Sequence, residues 1–106
     1  MNPNVAVVPF RPTNLQATPG ATVKLQWVDA SSNESGFTIL RKNGACENTL
    51  PWSTAATVGA DRTSYGDSGV IGKTRYAYQV QAHTATAYPI ARGYSANSEC
   101  VSAVTP

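Results

Sequence analysis

Two arms of strict two-residue alternation, joined by a Ser/Asn-rich link, constrain this chain more than any other feature. In the first, Val23, Leu25 and Trp27 alternate with Thr22, Lys24, Gln26 and Val28; in the second, Phe37 and Ile39 alternate with Thr38 before a charged end at Arg41-Lys42. Period two on both sides of a polar break marks two half-buried β-strands, and a 3.6-residue period fits neither arm. Trp27 is the bulkiest candidate for the centre of a core built between such strands.

A chain of 106 residues is long enough for one core and too short for two. Only 13% of the residues are charged, while Ser, Thr, Ala, Asn and Gly abound. Such a neutral, hydroxyl-rich composition suits an exported β-protein better than a cytosolic helical one. The net charge of +2 comes from eight Lys/Arg scattered against six Asp/Glu. Nucleic-acid binding needs a clustered basic footprint, so it is not expected. No apolar run approaches a membrane span, and Met1-Asn2-Pro3 does not open a signal peptide, so neither insertion nor a leader is expected within this sequence. Its two ends read like cut linkers from a longer parent chain.

Residues 2–12 combine three prolines with Val5, Val7, Val8 and Phe10. Proline gives no amide hydrogen to a central sheet, so residues 1–11 read as an extended N-terminal arm or linker and 12–106 as the folded domain. The arm is too apolar for a free tail: it packs on the domain's flank or meets a neighbouring domain. Strands are expected at 13–18, 22–28, 36–42, 52–59, 61–65, 74–82 and 100–105, with Pro19-Gly20 and 66–69 as turns and Val70-Ile71-Gly72-Lys73 as a corner. The cleanest alternation lies in 74–82, where Tyr76, Tyr78, Val80 and Ala82 oppose Arg75, Ala77, Gln79 and Gln81. Residues 83–94 are too irregular for a strand and read as a long loop. Seven short strands with no convincing helix predict an antiparallel β-sandwich.

These residues resemble the fibronectin type III family over about 12–105: the Trp on the second strand, Gly36-Phe37-Thr38-Ile39 on the third, and above all the run from Gly72-Lys73-Thr74-Arg75-Tyr76 to Ala82. The resemblance implies an all-β, seven-stranded, immunoglobulin-like sandwich. It makes Trp27 the core tryptophan and Tyr76 the tyrosine corner, whose hydroxyl bonds back to backbone ahead of its strand. Trp27-x-Asp29 followed by Asn33-Glu34-x-Gly36-Phe37 is similar to the bacterial form of the module, which occurs in secreted or surface enzymes such as glycoside hydrolases and multicopper oxidases.

Cys46 and Cys100 form an even pair with neither CxxC spacing nor a neighbouring histidine, which argues against zinc and thioredoxin-like chemistry and favours a disulfide. By the resemblance, the third and last strands flank the 76–82 strand in one sheet. Two strand spacings come to roughly 9.5 Å, beyond the roughly 6.8 Å that a disulfide tolerates between Cα atoms. The bridge therefore requires the loop carrying Cys46 to fold back over the middle strand, across small, outward-facing Ala77 and onto the outer face.

Residues for catalysis are sparse. His83 is the only histidine, no nucleophile motif accompanies it, and Asp29, Glu34, Asp61 and Asp67 fall in separate loops rather than at calcium-loop or paired-carboxylate spacing. Single glycines in turns make no phosphate cradle. No enzyme activity, metal or cofactor is expected. Asn33-Glu34-Ser35 matches a glycosylation sequon, a short motif read more simply as a hydrogen-bonded loop. The 83–94 loop presents Tyr88, Pro89, Ile90 and Tyr94 around Arg92, residue types that dominate interfaces, in the family position that often carries binding. Either these side chains pack down or they form a contact surface. The expected role is a non-catalytic spacer or accessory module of a secreted or cell-surface bacterial protein, with neighbouring domains as partners. The alternative is a module that binds protein or polysaccharide through 83–94 and 29–35.

Overall fold

A computed structural model describes residues 11–30, 35–84, 93–94 and 97–106. Among them are eight strands: β1 (Thr13–Thr18), β2 (Val23–Val28), β3 (Gly36–Asn43), β4 (Ser53–Gly59), β5 (Ser64–Asp67), β6 (Arg75–Thr84), β7 (Gly93–Tyr94) and β8 (Val101–Val104). Seven build the expected sandwich, and β7 is a two-residue addition at the far end of β6. One sheet has the order β1-β2-β5; the other runs β4-β3-β6, with β7 and β8 sharing the remaining edge of β6. Every pairing is antiparallel. The described residues include no helix.

The alternation that predicted the strands also builds the core. Leu15, Val23, Leu25, Trp27, Phe37, Ile39, Tyr76, Tyr78, Val80, Ala82 and Ala103 form one buried cluster between the sheets. Trp27 and Phe37, from opposite sheets, place their ring centroids 5.5 Å apart at 59°, an edge-tilted arrangement favoured by the ring quadrupoles. Gly36 is required where β3 enters the sheet, since a Cβ there would strike the Val58 carbonyl on β4.

Two expectations are corrected. A strand at 61–65 and a turn at 66–69 give way to β5 at Ser64–Asp67, because Asp61 takes the left-handed conformation (φ 64°) and the chain turns before the strand. The shift brings Asp67 into the interior, 3% exposed. The 83–94 segment is also not loop throughout: β6 continues to Thr84, and His83 and Thr84 pair with Tyr94 and Gly93.

Asp67 joins the two sheets through polar contacts. Arg41 on β3 donates from Nη1 to both carboxylate oxygens, at 3.1 and 2.8 Å. Tyr78 Oη on β6 donates to Oδ2 at 2.8 Å, and the Gly69 amide donates to Oδ1 at 3.1 Å. The hydrogen bond to Asp67 holds the Arg41 guanidinium above its ordinary range, partly opposed by burial. Burial, then the same carboxylate, pushes the Tyr78 phenol well up. Nearby, Tyr76 is buried at the 70–74 corner, and its Oη accepts the Ile71 amide at 2.9 Å. Lys73 turns left-handed there (φ 57°), and Thr105 Oγ1 accepts the Thr74 amide, tying the corner to the chain after β8.

Trp27→Ala should cost about 3–5 kcal/mol in chemical denaturation, and an unchanged midpoint would overturn its central place in the core. The Tyr78 proton gives a second expectation. The folded state keeps it where the unfolded chain loses it, so its contribution is fully present below about pH 10 and falls by about 1.4 kcal/mol per unit above that. Denaturation across that range should show a steeper decline for the wild type than for Tyr78→Phe.

Candidate functional site

The outer face of the five-stranded sheet is where the cysteines meet. Lys42, Ala77 and Ser102 stand in register across β3, β6 and β8 on the face opposite Tyr76 and Tyr78. The connection after β3 turns at Gly44 (φ 92°), a conformation glycine adopts freely and one where a Cβ would also collide with the Asn48 amide. The Gly44 amide donates to Arg75 O at 2.9 Å. Asn48 then staples the loop, donating from Nδ2 to Asn43 O at 2.9 Å and accepting the Leu50 amide at 3.0 Å.

Cys46 reaches Cys100 with a Cα–Cα separation of 6.0 Å and closes 54 residues of chain. Ala77 is wholly buried yet lies outside the inter-sheet cluster, as a small residue must where a connection crosses its strand. The crossing also buries a charge. Lys42 is only 6% exposed: its Nζ donates to Cys46 O at 3.0 Å and to Asn48 O at 2.9 Å, and lies 4.6 Å from the centroid of the Trp52 ring. Two carbonyls and an aromatic face replace the ammonium's lost hydration.

At the opposite end of this sheet, Thr38 Oγ1 and His83 Nδ1 are hydrogen-bonded at 3.1 Å, and the Ser35 amide donates to His83 O at 2.7 Å. That bond joins the end of the 29–35 segment to the start of 83–94. Of the residues expected to form a contact surface, Tyr88, Pro89, Ile90 and Arg92 lie outside the described residues, and Tyr94 is placed by its β7 backbone alone. Between β7 and β8 the edge of β6 is bonded by Ser98, whose amide donates to Val80 O at 2.8 Å and whose hydroxyl accepts the Val80 amide at 2.9 Å.

Sequence reasoning missed Lys42 with Trp52, and Arg41 with Asp67. Arg41-Lys42 reads in sequence only as the charged end of a strand, but alternation sends the two side chains to opposite faces, and both find partners there. That alternation was the available signal. The described residues hold no grouping of three or more His, Cys, Asp or Glu that could bind a metal ion, and no helix among them is long and apolar enough to cross a membrane.

Comparison with solved structures identifies the architecture. A Fn3-like protein from Clostridium thermocellum superposes with a TM-score of 0.68 at 27% identity, covering 94% of this chain and 96% of that one. The FN5 domain of Drosophila Lar gives 0.68 at 23%, covering 93% and 98%. A β-1,2-glucanase from Parabacteroides distasonis gives 0.73 at 19%; 96% of this chain matches only 13% of that enzyme. No family model matches the sequence, and a search of curated proteins finds no match. The fold is that of a fibronectin type III domain, and domains of this fold recur inside much longer chains.

Removing the bridge with Cys46→Ser plus Cys100→Ser should lower stability by up to about 4 kcal/mol and change Trp52 emission as Lys42 loses the loop carbonyls. Thiol titration of the unfolded, unreduced wild type should find none free; two free thiols would contradict the bridge.

Proposed function

We propose that this chain is a non-catalytic accessory module of a larger secreted bacterial protein, spacing or positioning a neighbouring catalytic or binding domain. The observation that carries this reading is the recurrence of the fold as a small part of longer chains, 13% of the glucanase above. In this reading residues 12–106 are the folded module and 1–11 the arm or linker leading to a neighbour. The parent is an enzyme of the glycoside hydrolase or multicopper oxidase kind. The disulfide suits an oxidising, extracytoplasmic compartment.

A second reading, a protein- or polysaccharide-binding module, gains support from the Ser35–His83 bond, which links the last residue of 29–35 to the first of 83–94. Assay of the isolated module and of its parent with the module deleted separates these roles. The accessory role predicts a module blank in hydrolase and oxidase assays and a parent that keeps its chemistry but acts less well on its natural substrate. Specific binding by the isolated module that is lost in Tyr88→Ala plus Ile90→Ala would favour the second role. A module that turns over substrate alone would refute both.

A further inference from the structure

The two outer faces of the sandwich are treated differently. That of the five-stranded sheet is crossed by the chain's own disulfide-bound connection. That of the three-stranded sheet exposes Gln16, Lys24, Gln26 and Ser64, and these residues form an ordered pattern. Gln16 on β1 stands opposite Gln26 on β2, which stands opposite Ser64 on β5. All three are exposed, and they make one polar row across the sheet. A depression lies on each side of this row, about 420 Å³ toward Asn14 and about 310 Å³ toward Lys24 and Arg62; Gln26 and Ser64 line both. Asn14 takes the left-handed conformation (φ 55°) within the irregularity that shifts the β1–β2 register, the kind of bulge that re-aims a side chain. Opposite Lys24 the partner residue is Gly66, which brings no side chain of its own to the second depression.

The chemistry of the trough narrows what fits it. Among the described residues, no hydrogen bond within the protein occupies the side chains of Asn14, Gln16, Lys24 or Gln26, and the only ion pair is Arg41–Asp67, so Lys24 and Arg62 have no carboxylate partner. No acidic residue lines either depression. Amides and a hydroxyl both donate and accept, matching a ligand dense in hydroxyls. Two cations at one end match a carboxylate. The two depressions together flank β2 between Thr22 and Val28, roughly 20 Å at about 3.3 Å per residue, a span that suits a chain rather than a single small molecule. Two cations without an exposed aromatic platform are poor equipment for a nucleic acid strand.

We propose that the open face of β1-β2-β5 binds an acidic polysaccharide, with a uronate carboxylate between Lys24 and Arg62 and neighbouring sugar hydroxyls on Gln16, Gln26 and Ser64. None of the residues named for this surface belongs to 29–35 or 83–94, and the accessory role stands or falls without it.

Titration calorimetry with polygalacturonate, fully methyl-esterified polygalacturonate, dextran and polyglutamate tests the assignment on the intact chain. Polygalacturonate should bind the wild type. Lys24→Gln plus Arg62→Gln, and separately Gln26→Ala plus Ser64→Ala, should each weaken it at least about tenfold, the loss of one well-made polar contact. Both pairs are exposed, so melting should be unchanged. Esterification removes the carboxylate without touching the protein and should weaken binding to the wild type by a similar factor. No binding of polygalacturonate, binding indifferent to these substitutions or to esterification, or equally tight binding of polyglutamate would each overturn the proposal.

Discussion

A phenol buried between two sheets is the constraint to which much of this structure answers. Tyr78 is wholly buried, and its hydroxyl cannot be left without a partner in an apolar core. The partner, Asp67, comes from the other sheet, and a carboxylate brought to that depth needs a counter-charge of its own. Arg41 supplies it from β3. The three residues therefore fix how the sheets meet at one end of the sandwich, as Trp27 and Phe37 do by packing within it. The hydrogen bonds specify one register where hydrophobic contact alone would tolerate several.

The outer faces divide by a similar logic. One is closed by the chain itself: the disulfide holds the connection down, and the connection gives Lys42 the carbonyls that make its burial tolerable. Each depends on the other. The remaining face keeps Gln16, Gln26, Ser64, Lys24 and Arg62 exposed to solvent. The interior and one face are thus committed to stability.

Much of this was legible in the sequence because strand alternation is a local signal. Val23, Leu25, Trp27, Phe37, Ile39 and the Tyr76–Ala82 row declare their inward faces from spacing alone. Given the strand order that the resemblance implies, the strand-spacing limit foretold that Cys46 had to reach Cys100 by a loop crossing a middle strand. What escaped depends on groups distant in sequence. Asp67 lies 26 residues from Arg41 and 11 from Tyr78 and was read as a turn residue, since Gly66-Asp67-Ser68-Gly69 has turn composition and nothing nearby announces a buried cation. Gln16, Gln26 and Ser64 are unremarkable apart, and only cross-strand register makes them a row. Of the contact surface anticipated at Tyr88, Pro89, Ile90, Arg92 and Tyr94, all but Tyr94 lie outside the described residues.

The claim that Tyr78 and Asp67 act as one cross-sheet unit is tested most directly by a double-mutant cycle on folding stability, using Tyr78→Phe, Asp67→Asn and the two combined. A shared interaction predicts that the double variant loses less than the sum of the single losses, with a coupling of about 1 kcal/mol or more. Losses that add to within about 0.3–0.5 kcal/mol would contradict it and leave the sheets joined by apolar packing alone.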